Sequence, residues 1–208
     1  MKIVIIGASA GIGLEAVNQA LERGHEVTAF SRNTDMIQDH QFLTKINGNA
    51  TSVMDLKKVI IDADSILVTI GTKDKKNTIL FSETAKALIE AVCEIRPDLP
   101  VLIVTGFGAG ESKNYLSFFM SMVIRFFLKD QYEDKTYMEE LIAKSILKWE
   151  IIRPGMLTNG MRTKSYQVKT KLESGIKIGK ISRNDVADFL LNQAENPDLL
   201  YQYPALTY

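Results

Sequence analysis

Near the start of the chain, a turn contains Gly7, Gly11 and Gly13, and these residue types suit a binding role. The turn follows an apolar run at 3–6 and leads into an amphipathic helix pattern. A turn without side chains lets backbone N–H groups approach a diphosphate, and the positive end of the helix dipole faces that anion. We therefore interpret it as a dinucleotide-binding loop rather than an ordinary strand–helix connection. Its lining residues would be Gly7, Ser9, Ala10, Gly11, Ile12 and Gly13.

The second predicted strand, at 26–31, ends with Ser31 and is followed by Arg32. Sites for NAD(H) typically carry Asp or Glu at this point, where the carboxylate accepts from the ribose 2′-hydroxyl. A hydroxyl and a guanidinium instead suit a 2′-phosphate, because arginine pairs with phosphate oxygens through a rigid fork of donors. The alternative is a solvated surface arginine, and Asp35 lies close enough in sequence to complicate the phosphate interpretation. The residue types favour NADP(H) over NAD(H).

These residues need elements to position them, and strand and helix patterns alternate along the whole chain. Predicted strands lie at 2–6, 26–31, 42–46, 65–70, 99–105 and 148–153, with a last short strand within 203–208. Predicted helices lie at 12–23, 51–61, 77–96, 114–128, 130–145 and 183–194. This alternation is typical of an α/β fold, here a Rossmann-type doubly wound, mainly parallel sheet in a single domain spanning 1–208. The substrate-side loops are expected mainly in 106–130 and 154–181, the latter having the least regular pattern.

Further candidate residues follow the ends of the later strands, where a parallel sheet binds its ligand. Cofactor contacts are predicted for Ser31, Arg32, Asn49, Ala50, Thr69, Ile70, Gly71, Thr105, Pro154, Gly155 and Met156, and acceptor contacts for Thr72, Phe107 and Met156. Asn49 is either an adenine contact or a turn residue before a helix, and Phe107 and Met156 either line the site or belong to the core. The three glycines within 106–110 indicate a backbone held near a ligand, a mobile lid or a plain loop.

Bulk properties exclude several classes of protein. Lys and Arg together number 25, as do Asp and Glu, so no net field favours nucleic acid or an anionic membrane. The single cysteine, Cys93, excludes an intrachain disulfide, suits the cytoplasm and is expected in the core. No apolar stretch is long enough to span a bilayer, and no cluster has metal-ligand spacing.

The phenylalanine-rich stretch 114–128 is expected to pack on the core or to contact a second copy or a protein partner, with interfacial membrane contact as the alternative.

Taken together, the motifs resemble those of one family. In chain order they are Gly7-x-x-x-Gly11-x-Gly13, Ser31-Arg32, Thr69-Ile70-Gly71-Thr72, Lys135 with Glu139, and Trp149-Glu150-Ile151-Ile152-Arg153-Pro154-Gly155. Over essentially its whole length, the chain is similar to atypical short-chain dehydrogenases/reductases of the NAD(P)H-binding group, which contains flavin reductase/biliverdin-IXβ reductase and the NmrA-like proteins. The resemblance implies a Rossmann fold that binds the cofactor, with Lys135 at the nicotinamide ribose. It also implies that Lys135 and Thr105 are the candidate catalytic residues.

The chain also departs from the family pattern. The classical Tyr-x-x-x-Lys pair is missing, since Tyr132 precedes Lys135 by only three residues. Gly106 stands where the flavin and biliverdin reductases place Ser, and Lys135 is open to a second interpretation as a solvated surface lysine.

The leading hypothesis is an NADPH-dependent oxidoreductase that transfers hydride to a flat conjugated acceptor, namely a flavin, a quinone or a tetrapyrrole. Such an acceptor takes hydride by stacking on the nicotinamide and draws its proton from water, so the missing Tyr-x-x-x-Lys is tolerable. FMN or FAD would then be a substrate rather than a prosthetic group. The alternative is a non-catalytic NADP(H)-sensing regulatory protein of the NmrA-like type, and the third hypothesis is a sugar-nucleotide epimerase or dehydratase. A valine at Gly11 or Gly13 is expected to abolish cofactor binding in a folded chain.

Overall fold

In residues 1–74 and 76–208, which the computed structural model describes, the chain forms ten β-strands and six α-helices. The strands are β1 Lys2–Ile6, β2 Glu26–Ser31, β3 Leu43–Asn47, β4 Ser65–Val68, β5 Pro100–Val104, β6 Lys148–Pro154, β7 Met156–Thr158, β8 Gln167–Lys169, β9 Lys180–Ser182 and β10 Ala205–Thr207. The α-helices are α1 Gly11–Glu22, α2 Val53–Ile60, α3 Leu80–Ile95, α4 Phe118–Val123, α5 Lys129–Ala143 and α6 Arg183–Glu195. The other helical segments are a 3₁₀ helix at Gly110–Tyr115 and a π-helical turn at Ile124–Leu128.

Eight of these strands form one sheet in the order β3-β2-β1-β4-β5-β6-β10-β8. Neighbouring strands run parallel, except that β8 pairs antiparallel with β10. The strand order reverses at β1, so the connections that follow β1 and β4 leave on opposite sides and open a crevice at the carboxyl ends of these two strands. The predicted α/β fold, with a doubly wound and mainly parallel sheet in one domain, is confirmed.

Helices cover both faces of the sheet, as the continuous apolar runs of parallel strands require. Ile3 and Ile5 of β1 pack in a core with residues of α1 and α6. Val4 and Ile6 point to the opposite face, where residues of α2, α3 and α5 form the second core. Cys93 lies partly buried against that second core.

The stretch 114–128 differs from the core-packed helix that its phenylalanines predicted. The 3₁₀ helix ends at Tyr115, Ser117 caps the start of α4, and the π-helical turn leads directly into α5. Of residues 117–128, only Ile124 is buried. Core packing is therefore wrong for the phenylalanines, because Ile124 lies on the side of the helix that contacts the protein. The other expectation, contact with a second copy or a protein partner, stays a prediction.

Residues 154–181, which lack a regular sequence pattern, contain three strands of three residues each. β7 and β9 pair in parallel as a small separate sheet, whereas β8 closes the edge of the main sheet. The buried Asp185 carboxylate holds this region together, since it accepts from Thr163 N at 2.8 Å and from the Tyr208 hydroxyl at 2.6 Å. β10 confirms the predicted last strand within 203–208.

Glu150 is a fully buried carboxyl group in β6. Neither of its oxygen atoms has a hydrogen-bond partner within the described residues. Burial raises the pKa of Glu150 to about 8, and the Asp198 carboxylate adds to this increase. The folded chain therefore holds a proton at Glu150 at neutral pH.

Candidate functional site

The glycine turn lies at the crevice between the carboxyl ends of β1 and β4. Gly7 has a φ of +90°, and a Cβ atom at this position would lie 2.8 Å from the backbone N of Ile70. The Thr69 hydroxyl lies 3.1 Å from the carbonyl oxygen of Ile6 and 3.3 Å from that of Gly7, and donates to them. The structure thus brings together Gly7, Thr69 and Ile70, three of the predicted cofactor contacts.

Gly11 and Gly13 have different roles in this turn. A Cβ on Gly13 would overlap the carbonyl oxygen of Gly7 and lie 2.5 Å from Thr69 Oγ1, so this glycine is what lets α1 pack closely on the sheet. A Cβ on Gly11 would meet no atom nearer than Arg183 Nε at 3.6 Å, although its φ of +57° disfavours other residues. A valine at Gly13 would therefore disturb the fold itself, contrary to the expectation from sequence. Only at Gly11 does the expectation of a folded variant still apply.

The N-terminus of α1 fits an anionic group. Its N-cap, Ala10, supplies no side-chain hydrogen bond, and the first turn of the helix has no acidic residue. The first N–H groups of a helix have no acceptor within the helix, so here they need an acceptor from outside. Ser9 N donates to Ser31 Oγ at 3.1 Å, which joins the turn to the end of β2. A diphosphate would satisfy these N–H groups and the helix dipole, so the residues present fit a dinucleotide.

Arg32 lies exposed just beyond the end of β2, next to the buried Ser31. No carboxylate of residues 1–74 or 76–208 lies within 4.0 Å of its guanidinium nitrogens. Asp35 is engaged elsewhere, since Asn33 Nδ2 donates to its Oδ2 at 3.1 Å. Asp35 therefore does not neutralise Arg32, and the guanidinium can pair with an anion.

Asn49 acts as a turn residue in the structure. Its Oδ1 accepts from Thr51 N at 3.1 Å, and its own N–H donates to Asp55 Oδ2 at 3.2 Å. The cap of α2 is Ser52, whose side chain accepts from Asp55 N. The structure shows the local turn, one of the two interpretations of Asn49, and the adenine contact stays a prediction. Ala50 beside it packs partly buried against the core.

At the same edge of the sheet, two strands away from β1, one face of α5 approaches the loop that follows β5. Lys135 Nζ donates to the carbonyl oxygen of Thr105 at 2.7 Å, and Thr105 Oγ1 donates to Glu139 Oε1 at 2.6 Å. A Cβ on Gly106 would lie 3.1 Å from the Tyr132 hydroxyl and 3.7 Å from Lys135 Nζ. These five residues form one cluster, which excludes the alternative of a solvated surface lysine at position 135.

The Thr105 hydroxyl is committed to a buried ion pair. Thr105 is 4% exposed and donates its only hydroxyl proton to Glu139, whose Oε2 lies 2.7 Å from Arg153 Nη2. The catalytic role predicted for this hydroxyl does not fit the structure, because the hydroxyl proton is used inside the ion-pair network. The backbone carbonyl of Thr105 instead positions Lys135.

The two polar groups beside Gly106 have shifted pKa values. Burial lowers the pKa of Lys135 to about 8, and the Glu139 carboxylate limits this decrease. The ammonium group lies 5.1 Å from the ring centroids of both Phe81 and Tyr132, which compensates for part of its lost hydration. Burial also raises the pKa of the Tyr132 phenol. At neutral pH, Lys135 is therefore cationic and Tyr132 neutral, so both are hydrogen-bond donors.

The predicted acceptor-side residues do not share one environment. Phe107 is 6% exposed and its N–H donates to the carbonyl oxygen of Pro154 at 2.9 Å, so its side chain belongs to the interior and does not line the crevice. Met156 is 55% exposed just beyond the end of β6. Thr72 accepts from Asp74 N at 3.0 Å within a turn.

Two of the glycines predicted to contact the cofactor also differ in their surroundings. A Cβ on Gly71 would meet no described atom within 4 Å, so the backbone there is open to a ligand. Gly155 is instead tied to the sheet, since its N–H donates to the carbonyl oxygen of Leu206 at 3.0 Å. A Cβ on Gly155 would also overlap the carbonyl oxygen of Gly179, so this glycine is needed for the approach of the segment that contains Gly179.

Packing explains two of the three glycines in the loop 106–110. A Cβ on Gly108 would lie 2.6 Å from Ile124 Cδ1, and a Cβ on Gly110 would lie 2.6 Å from Arg153 Nη2. Gly106 lies beside both the Tyr132 hydroxyl and Lys135 Nζ, whereas a Cβ on Gly108 would meet the ring of Tyr132 at 3.1 Å. This loop therefore combines a packing function with one backbone position that belongs to the cluster.

Sequence reasoning missed Arg183, which lies beside the glycine turn at the start of α6. Its Nε would be 3.6 Å from a Cβ on Gly11, and its Nη1 donates to Asn159 Oδ1 at 2.7 Å. In the part of the chain that the structure describes, it forms no ion pair within 4.0 Å. No signal in the sequence indicated this residue, because Asp185 in the same first turn already complements the helix dipole.

Within residues 1–74 and 76–208, the His, Cys, Asp and Glu side chains form no group of three or more that would hold a metal ion. Over the same residues, no helix has both the length and the apolar character that crossing a membrane requires.

Comparisons with known proteins agree with this geometry. A family model described as NAD(P)H-binding matches residues 7–197. The protein YwnB of Bacillus subtilis (strain 168) is 26% identical over 211 residues, which cover 95% of this chain and 94% of YwnB.

Two solved structures have the same fold over the whole chain. ChuY, an anaerobillin reductase from Escherichia coli O157:H7, superposes with a TM-score of 0.82 at 23% identity, covering 100% of this chain and 97% of ChuY. A short-chain dehydrogenase/reductase from Veillonella parvula DSM 2008, crystallised in complex with NADP, gives a TM-score of 0.82 at 16% identity and covers 100% of this chain and 94% of the other. At these identities the two structures establish the fold, which is the predicted Rossmann type.

Proposed function

The chain belongs to the NAD(P)H-binding family, as its motifs predicted, and on that premise we propose that it is an NADPH-dependent reductase. Its acceptor would be a flat conjugated molecule, namely a flavin, a quinone or a tetrapyrrole, with FMN or FAD as a substrate rather than a prosthetic group. One arrangement carries the proposal: the carboxyl edge of the parallel sheet holds an uncapped helix N-terminus after β1 and the cluster of Lys135, Tyr132 and Gly106 after β5. The reductase activity named for ChuY and the NADP bound to the Veillonella protein support it. The expected location is the cytoplasm.

Three parts of the dinucleotide have a matching group on this chain. The diphosphate would bind the N–H groups at the start of α1 together with the Arg183 guanidinium, and Ser31 and Arg32 would bind the 2′-phosphate. Lys135 Nζ carries three donors, of which Thr105 O uses one, so the others can donate to the hydroxyls of a ribose. When bound, the nicotinamide supplies the hydride.

The chain's own contribution to the reaction is orientation more than acid–base chemistry. Gly106 has no side chain, which lets the Tyr132 hydroxyl and Lys135 Nζ approach the backbone of the loop that follows β5. Glu139 and the Thr105 hydroxyl are used within the buried ion-pair network and do not deliver a proton to the crevice. A flavin or a quinone draws its proton from water, so the reaction does not require a protein acid.

The wild-type protein is expected to oxidise NADPH when FMN, a quinone or a linear tetrapyrrole is supplied, and Tyr132→Phe is expected to keep kcat within a few-fold. Loss of a true general acid would lower the rate by about 10²–10⁴, whereas here the proton comes from solvent. Lys135→Met is expected to raise KM for NADPH more than it lowers kcat, because Lys135 would act through cofactor binding. Steady-state NADPH oxidation measures both parameters. A collapse of kcat in Tyr132→Phe at unchanged cofactor affinity would contradict this mechanism.

A non-catalytic NADP(H) sensor is the second candidate, and one observation favours it. The Thr105 hydroxyl, which the family resemblance made a catalytic candidate, is buried in a structural network. This hydroxyl is therefore not free to transfer a proton to a bound acceptor. Calorimetric binding of NADPH without turnover on any of the three acceptor classes would establish this candidate over the reductase.

Loss of Arg32 and loss of Arg183 are both expected to weaken cofactor binding, but each affects NADPH and NADH differently. Arg32→Ala should weaken NADPH about ten- to a hundredfold, corresponding to about 1.5–3 kcal/mol, and leave NADH nearly unchanged, because only NADPH carries a 2′-phosphate. Arg183→Gln should weaken both cofactors by a similar factor of about ten, because both carry the diphosphate. Calorimetric titration of each variant with both cofactors gives the four affinities.

Arg96→Gln is the matched control, since Arg96 pairs with Asp98 after the end of α3 and should not affect either cofactor. If the wild type binds NADH more tightly than NADPH, the role of Arg32 is wrong. If Arg183→Gln loses affinity for NADPH alone, its assignment to the diphosphate is wrong.

A further inference from the structure

The side chain of Arg183, at the start of α6, is held by an uncharged partner. Its Nη1 donates to Asn159 Oδ1 at 2.7 Å, and Asn159 comes directly after β7. Two other atoms of the same side chain, Nε and Cδ, would lie 3.6 and 3.7 Å from a Cβ on Gly11. Arg183 therefore connects the glycine turn with the segment that follows β7.

The main chain around Asn159 is fixed against the first residues of α6. Thr158 pairs with Ser182 in the small sheet of β7 and β9. On the other side of Asn159, the carbonyl oxygen of Gly160 accepts from Asn184 Nδ2 at 3.1 Å. Asn159 is itself exposed, but both of its neighbours are held, so its amide meets Arg183 from a defined backbone position.

The start of α6 is in turn tied to α1, the helix that the glycine turn opens. The buried Gln19 of α1 donates from Nε2 to the carbonyl oxygen of Asn184 at 2.9 Å. The distance between the two helices therefore does not depend on Asn159. What Asn159 contributes is the direction in which the Arg183 guanidinium points.

The chemistry of this partner differs from that of a nearby arginine. Arg162 Nη2 lies 3.0 Å from Glu22 Oε2, so a carboxylate compensates its charge. Among the residues that the structure describes, no carboxylate lies within 4.0 Å of the Arg183 nitrogens. The amide oxygen of Asn159 accepts a hydrogen bond without carrying a charge, so Arg183 keeps its full attraction for an anion.

We propose that Asn159 is a positioning residue for the cofactor, because its amide oxygen orients the Arg183 guanidinium towards the diphosphate and leaves the positive charge uncompensated. Arginine pairs with phosphate oxygens through a rigid fork of donors, so the orientation of the fork decides which oxygens it reaches. A guanidinium has further donors besides the one that Asn159 uses. The inference rests on the proposed function and deepens it, since it concerns the same diphosphate site.

The experiment is calorimetric titration of the full chain with NADPH and with NADH. Asn159→Ala should weaken both cofactors by about three- to tenfold, because both carry the diphosphate and the orienting hydrogen bond is lost. Asn159→Asp should weaken both by about tenfold or more, because its carboxylate would compensate the charge of Arg183 and repel the diphosphate. A residue that only supported the backbone would tolerate this change, since Asp has the same shape as Asn. Asn196→Ala is the matched control, because Asn196 is exposed at the opposite end of α6 and should affect neither cofactor.

A double-mutant cycle tests whether Asn159 acts through Arg183. In the Arg183→Gln background, the change Asn159→Ala should cause no additional loss of affinity for either cofactor, because the group that it orients is already missing. An additional loss as large as that in the wild-type background would show that Asn159 acts independently of Arg183, and the proposal would be wrong.

The failure of this inference is distinguishable from failure of the function on which it rests. A wild-type protein that binds neither cofactor would overturn both. Wild-type binding that Asn159→Asp leaves unchanged would overturn the role of Asn159 alone. Because Asn159 is exposed, both of its variants should unfold cooperatively near the wild-type temperature in the absence of cofactor, which confirms that the chain is folded.

Discussion

Replacing Glu139 with Gln is expected to lower the free energy of unfolding by about 3–5 kcal/mol. The Glu139 and Arg153 side chains are 3% and 2% exposed, and the carboxylate accepts from Arg153 Nε at 3.2 Å and from Nη2 at 2.7 Å. Without the carboxylate, the buried Arg153 guanidinium would keep Glu111, whose Oε1 lies 3.6 Å from Nη1, and the Tyr203 ring, whose centroid lies 4.2 Å from its central carbon. Removing one partner of a buried pair costs this much because the remaining charge stays out of water. Urea denaturation monitored by circular dichroism measures the change.

Glu133→Gln is the matched control on the same helix. Glu133 is exposed and lies 3.7 Å from Lys129, so its loss should change stability by less than about 1 kcal/mol. The double variant Glu139→Met/Arg153→Met should recover much of the stability lost in either single variant, because no charge remains buried. A Glu139→Gln variant as stable as the Glu133→Gln control would show that the pair does not stabilise the fold.

Glu150→Gln is expected to remove a large pH dependence of stability. Below about pH 4.5, the ordinary pKa of the group, Glu150 is protonated in both the folded and the unfolded chain. In that range its ionisation does not lower the free energy of unfolding. Between this value and the folded-state pKa of about 8, only the folded chain keeps the proton, so the free energy of unfolding falls as pH rises. The slope is about 1.4 kcal/mol per pH unit, and the total over this window is on the order of 5 kcal/mol. Above about pH 8 no further loss is expected from this group.

The measurement is the free energy of unfolding of wild type and Glu150→Gln from pH 5 to pH 9. Other groups titrate in both proteins, so the difference between the two curves isolates Glu150. As pH rises, the free energy of unfolding of Glu150→Gln should increase relative to that of the wild type. Glu26→Gln, which replaces an exposed carboxylate of β2, should reproduce the wild-type curve. Parallel curves for wild type and Glu150→Gln would mean that the carboxyl group is not held neutral in the folded chain.

The fold class and the glycine turn after β1 were predictable because their signals are local in sequence. Alternating strand and helix patterns indicate a parallel sheet, and the sheet order confirms it. The backbone conformation of Gly7 and Gly11 has a positive φ, as a glycine-rich turn between a strand and a helix requires. Single-sequence reasoning succeeded here because each feature depends on residues a few positions apart.

Predictions about environment were less successful. Phe107 and the stretch 114–128 contain similar side chains, yet Phe107 is buried while Phe118 and Phe119 are exposed. The residue type alone does not predict whether a phenylalanine is buried or exposed, because burial depends on which element packs against it. The Thr105 hydroxyl shows the same limit, since its partner Glu139 comes from a different element.

The sequence by itself determined the Rossmann-type fold, the glycine turn and the basic residue that follows β2, because hydrophobic periodicity and turn chemistry act over short distances. Only the tertiary structure decided that Gly13 serves packing, that Lys135 and Tyr132 meet at Gly106, and that Arg183 lies beside Gly11. These contacts join residues far apart along the chain, and they form only when α5 and α6 pack on opposite faces of the sheet. The physical reason is that the charge, burial and hydrogen bonding of a side chain are set by its neighbours in space, which sequence spacing does not specify.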